Sequence, residues 1–129
     1  MAEKMRRRHA DLQWPYKLRD VPCHAPYLSG AELTIAADCT AYAYGGFREA
    51  VGISDVLLIG CARDGEEQTK KLSEMISENG IRSITLLRME VGCCDGLEQS
   101  VKKAIELSGR EISYSKKVIS TDGKILGDT

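Results

Sequence analysis

Hydrophobic and polar positions change period several times along this chain, and each change marks an element. Leu12, Trp14, Tyr16 and Leu18 alternate with polar residues, the period of a half-buried strand. Pro15 inside that run has no N–H to donate, which restricts such a strand to a sheet edge. Pro22 and Pro26 mark a connection with room for one helical turn over 26–31. Residues 33–38 form a short apolar strand, and 40–51 read as a helix weakened in its middle by Gly45-Gly46. The unbroken run Val56-Leu57-Leu58-Ile59 suits a strand buried on both faces. Over 66–79, Leu72, Met75 and Ile76 share one helical stripe, with Gly80 placed for a left-handed stop. A third apolar strand over 83–91 follows. Then comes a helix over 96–108 with Leu97, Val101, Ala104, Ile105 and Ser108 on one face and Gly109 at its end. A last strand over 117–121 runs into a turn at Asp122-Gly123.

Strand and helix therefore alternate with short connections, the pattern of a parallel sheet with right-handed crossovers. The expected fold is a three-layer α/β domain of Rossmann-like or flavodoxin-like type, with a mostly parallel sheet of four or five strands. Its 129 residues suffice for a single domain, placed at 12–129. Residues 1–11, including Arg6-Arg7-Arg8-His9, read as a flexible, solvated basic arm.

Charge and composition narrow the partners. A net charge of −1 gives no global pull toward nucleic acid or anionic lipid, and 5% aromatic residues leave few stacking platforms. No apolar run approaches the roughly 18 residues of a membrane helix. Neither nucleic acid nor membrane is expected as a partner. The start carries charge without an apolar stretch behind it, unlike a secretory signal. Five cysteines, Cys23, Cys39, Cys61, Cys93 and Cys94, make an odd count that does not suggest a disulfide framework. A reducing cytoplasm with free thiols is the expected setting.

The positions of those cysteines are the most informative feature. Cys39, Cys61 and the Cys93-Cys94 pair each follow a different expected strand and precede a helix or its leading loop. In a parallel sheet these places lie along one edge, at the carboxyl ends of the strands, where open α/β sheets bind ligands. Nearby helix N-termini favour thiolate over thiol, and thiolate is the form that ligates metal. Four thiolates suit zinc or an iron–sulfur cluster. The competing reading is simple burial, because free cysteine packs well as a small hydrophobe. Cys23 lies in a different segment and reads as a bystander, although Cys23-His24 could reach the site.

Sharper chemistries lack their residues. No cysteine pair is separated by two residues, as a thioredoxin-type site requires, and no GxGxxG follows a strand. Gly60 to Gly65 begins like a phosphate loop, but Glu66-Glu67 stands where Lys-Ser/Thr would be needed. Asp38, Asp64, Glu90 and Asp95 flank the cysteines and read as caps and solvated loop residues.

Several segments resemble a known family. Leu12-Gln13-Trp14-Pro15, Ala25-Pro26-Tyr27, Ala36-Ala37-Asp38-Cys39, Ala43-Tyr44, Leu58-Ile59-Gly60-Cys61 and Arg88-Met89-Glu90-Val91-Gly92-Cys93-Cys94-Asp95-Gly96-Leu97 look like the C-terminal region of small iron–sulfur (4Fe-4S, ferredoxin-like) binding proteins of anaerobic bacteria and archaea. The N-terminal ferredoxin module of that family is not in this sequence. Ala62-Arg63 replaces its Pro-Lys, Gly92 its proline before the cysteine pair, and Arg48 its histidine. The resemblance implies Cys39, Cys61, Cys93 and Cys94 as the matching cysteine positions.

Three functional readings follow. The first is a metal-binding or electron-transfer protein rather than an enzyme: Cys39, Cys61, Cys93 and Cys94 hold an iron–sulfur cluster, ahead of zinc, and a ferredoxin-like partner exchanges electrons with it. The second is a thiol-dependent redox or transfer enzyme using Cys61 or Cys94 as nucleophile. The third is an interaction module whose cysteines only pack.

Overall fold

The computed structural model describes residues 16–47, 49, 56–61 and 65–128. The expected basic arm, and the part of the first alternating run before Tyr16, lie outside the described residues. Six strands form one sheet: β1 (Tyr16–Lys17), β2 (Glu32–Ala37), β3 (Val56–Gly60), β4 (Ser83–Met89), β5 (Ser113–Ile119) and β6 (Ile125–Asp128). Helices α1 (Thr40–Ala43), α2 (Gly65–Asn79) and α3 (Cys94–Ser108) follow β2, β3 and β4.

The spatial order is β1-β3-β2-β4-β5-β6, parallel throughout except for the antiparallel pair β5–β6. Counted from β2, this is the flavodoxin-like order 2-1-3-4-5. The chain steps from β2 to one side, then crosses back over it and continues on the other. The switch point lies between β2 and β4. β2 is therefore central, and five of its six residues are buried, as a strand covered on both faces requires.

Most of the core lies under α2 and α3. Leu33, Ile35, Leu58, Ile84 and Leu86 of the sheet pack with Leu72, Met75 and Ile76 of α2 and with Leu97, Val101 and Ala104 of α3. Each buried aliphatic side chain contributes roughly 1.5–3 kcal/mol. A smaller cluster joins Ala36, Leu57 and Leu87 to Phe47 and Ile59 on the opposite sheet face. Gly80 and Gly109 end the long helices at φ +64° and +73°, the left-handed stops expected of them.

The differences from the sequence reading are local. The first strand is only two residues long and passes at Leu18 into a 3-10 turn over Leu18–Asp20. It does lie at the sheet edge, as Pro15 requires. The helix expected over 40–51 is interrupted: Thr40–Ala43 form one regular turn, Gly45-Gly46 make a turn, and Phe47 and Glu49 are again helical, while residues 48, 50 and 51 lie outside the described residues. β5 begins at Ser113, earlier than Lys117, because its first residues are polar and half-exposed. β6 adds a sixth strand to the four or five expected. It returns through a tight turn in which the Gly123 N–H donates to Ser120 O and the Ser120 N–H to Lys124 O.

Candidate functional site: a thiol lip at the switch point

The carboxyl edge of the sheet is built from three short links. After β2, the Asp38 N–H donates to Gly60 O at 3.2 Å, tying the ends of β2 and β3 together. Thr40 Oγ1 donates to Ala37 O at 2.7 Å and turns the chain into α1. After β4, the N–H groups of Cys94 and Asp95 donate to Val91 O and Gly92 O and start α3.

Cysteines occupy both helix starts beside the switch point. Cys39 is the N-cap of α1 and Cys93 the N-cap of α3, and neither side chain makes a capping bond. Ser, Thr, Asp or Asn at such a position adds about 1 kcal/mol of stability. Cysteine gives that up.

The structure brings Cys39 and Cys94 near one another. The two thiols lie close enough across the β2–β4 crevice for each to influence the other, and Cys93 acts electrostatically on both. Cys94 is buried, whereas Cys39 and Cys93 are exposed. Cys61 stands at the end of β3, the next strand from β2, half-buried. Its N–H donates to Gln68 Oε1 at 3.4 Å. Among the described residues, no group of three or more His, Cys, Asp or Glu side chains is arranged to hold a metal ion. Cys23 is elsewhere. Its thiol donates to Glu74 Oε1 at 3.3 Å, and Asn79 Nδ2 at the end of α2 donates to its carbonyl at 2.7 Å. Asn79 O in turn accepts from the Gly30 N–H just before β2, so Cys23 and His24 lie toward the amino edge of the sheet.

Thiol acidity departs from the expectation. Burial pushes Cys94 above its ordinary value, and Cys39 and Cys93 push the same way, against the backbone of Met89 and the charge of Arg88. Burial and the Asp38 carboxylate likewise raise Cys39, against its own backbone hydrogen bond and the opposing influence of Cys94. Desolvation outweighs the helix starts here, so both thiols rest protonated at neutral pH.

A buried charge cluster behind the lip is not anticipated by the sequence reading. Arg88 and Glu98 are each 8% exposed, and Arg88 Nη1 donates to Glu98 Oε1 at 2.7 Å. Lys116 Nζ and Lys102 Nζ reach Glu98 Oε2 at 2.8 and 3.0 Å. The available signal was an arginine inside the apolar run Leu86-Leu87-Arg88-Met89, because a buried charge demands a partner. A separate surface groove of about 310 Å³ between α2 and α3 includes Glu66, Lys70, Lys103 and Leu107 in its lining and contains no cysteine.

Comparisons with known proteins agree with the architecture. An uncharacterized protein of Archaeoglobus fulgidus is 30% identical over 115 residues, covering 88% of this chain and 81% of the relative. No solved structure matches. A family model described as a Rossmann-like domain matches residues 25–129, which takes in every element from the second 3-10 turn (Pro26–Leu28) to β6 and all four cysteines of the carboxyl edge. The chain belongs to that Rossmann-like domain family.

Proposed function

We propose that this protein binds a thiophilic metal centre, an iron–sulfur cluster ahead of zinc, through the cysteines of the lip. The observation that carries the reading is the proximity of Cys39 and Cys94, two thiols distant in sequence that come together across the switch-point crevice with Cys93 beside them. Cys93 supplies a third sulfur beside them, and Cys61 a fourth at the neighbouring strand end. The donor set fits by its chemistry, since soft sulfur selects iron–sulfur clusters and zinc over harder ions. Cys39, Cys61, Cys93 and Cys94 would hold the centre as thiolates, so their protons would be released on binding. A bound cluster would supply one-electron transfer, with a ferredoxin-like protein as the matching redox partner.

In the rival reading, a nucleophilic thiol at Cys61 or Cys94, the Cys94 arm is disfavoured by burial. A reactive cysteine needs a depressed pKa and access, and Cys94 has neither. The test is iron, zinc and acid-labile sulfide analysis with an absorption spectrum, on protein purified and reconstituted without oxygen. Brown protein bleached by dithionite is expected, with the colour lost in Cys39→Ser and Cys94→Ser. One bound zinc without colour would select the zinc form of the centre. Protein that takes up neither metal after reconstitution would overturn the proposal.

A further inference from the structure

Arg88 interrupts the apolar end of β4, and its guanidinium is tied on every side. Nε donates to Met89 O at 2.9 Å and Nη2 to Val91 O at 3.2 Å. Nη1 meets Glu98 Oε1 at 2.7 Å and Asp95 Oδ1 at 2.8 Å. Those carbonyls belong to the turn that leads into Cys93-Cys94, and the two carboxylates belong to the start of α3. The Val91 carbonyl that accepts from Nη2 also accepts from the Cys94 N–H at 3.1 Å. One side chain thus joins the strand, the turn and the helix that carry the cysteine pair.

Burying an ion pair is seldom the most stable solution. Apolar residues of similar volume often serve as well or better. What an apolar residue cannot do here is hold two loop carbonyls at once. A lysine could keep the charge, but its single nitrogen lacks the planar fork that reaches both. We propose that Arg88 is a positioning residue for the lip: it fixes the turn from Met89 to Cys94 so that the Cys94 sulfur faces Cys39 across the crevice. This deepens the reading of the lip as a thiol site but does not depend on which metal it holds.

The probe is phenylarsine oxide, which bridges two neighbouring thiols. Two arsenic–sulfur bonds form, the arsenic oxygen leaves as water with the two thiol protons, and no electrons are transferred. In a Cys93→Ser background, peptide mass mapping reports the Cys39–Cys94 adduct and its rate of formation. Adding Arg88→Lys should slow capture about tenfold or more, because small misplacements of reacting groups cost that much. The pair Arg88→Met with Glu98→Met removes both buried charges together and so keeps the fold, yet leaves the loop carbonyls without their donor. It should slow capture similarly. Either folded variant capturing at the rate of the Cys93→Ser parent would overturn the role of Arg88. A Cys93→Ser parent that fails to form the adduct would overturn the paired geometry and this proposal together. Normal capture by a wild-type lip that takes up no metal would sink the metal reading and leave Arg88 in place.

Discussion

Glu98 shows how strongly one buried position is set by its neighbours. Burial alone would raise its carboxyl, but hydrogen bonds from Lys116, Arg88 and Lys102 outweigh that effect and hold it at about 2 instead of the ordinary 4.5. The folded value is depressed, so the associated stability is fully present above the ordinary carboxylate range and is lost as pH falls through about 2. A shift of that size corresponds to roughly 3 kcal/mol. Urea unfolding followed from about pH 5 to about pH 2 should show wild type losing that much more stability than Glu98→Gln. Glu98→Gln should be the less stable protein at neutral pH, with the two curves converging in acid. Parallel curves would mean that Glu98 does not titrate as this cluster requires. The sequence announced only half of this cluster. An arginine in an apolar strand signals that a partner exists, but Glu98 and Lys116 become its neighbours through the packing of α3 and β5, which no local pattern encodes.

Among the elements, the long helices were the most legible. The stripes Leu72-Met75-Ile76 and Leu97-Val101-Ala104 keep the three- and four-residue spacing of one helical face, and a glycine at positive φ ends each helix. β6 was not legible, because Ile125-Leu126 are adjacent and fall on opposite faces, so no alternation develops. Its position is set instead by the turn before it. Gly123 has φ +89°, and a Cβ there would stand 2.7 Å from Ala43 O at the end of α1. The β5–β6 turn therefore abuts the short helix that starts at Cys39. Gly123→Ala combines a disfavoured backbone conformation with a clash against main chain that cannot swing aside. It should cost about 2 kcal/mol or more. Denaturant midpoints compared with Gly92→Ala, where the added methyl meets nothing within 4 Å, would check this. Equal losses would mean that the turn does not bear on α1.

Across the whole molecule, the lip joins parts that the chain otherwise keeps apart. The order β3-β2-β4 sends the segment after β2 toward one sheet face, where Phe47 packs, and sends α3 toward the other. The convergence of Cys39 with Cys94 follows from that reversal. Alternating strands and helices predicted a shared edge, but only strand order decides which cysteines flank the crevice, and side-chain direction decides which thiols come near one another. A metal bound there would staple the loops on either side of the switch point, so its stabilisation should appear in global unfolding. At free zinc a thousandfold above Kd, linkage gives about 4 kcal/mol. Thermal unfolding with and without zinc should show that increment in wild type and in Cys23→Ser, whose thiol lies with Glu74 beside α2. Cys39→Ser should lose most of it while remaining folded, because Cys39 is exposed and its replacement opens no cavity. If Cys39→Ser keeps the full increment and Cys23→Ser loses it, the metal sits at the wrong edge of the sheet for the lip to be its seat.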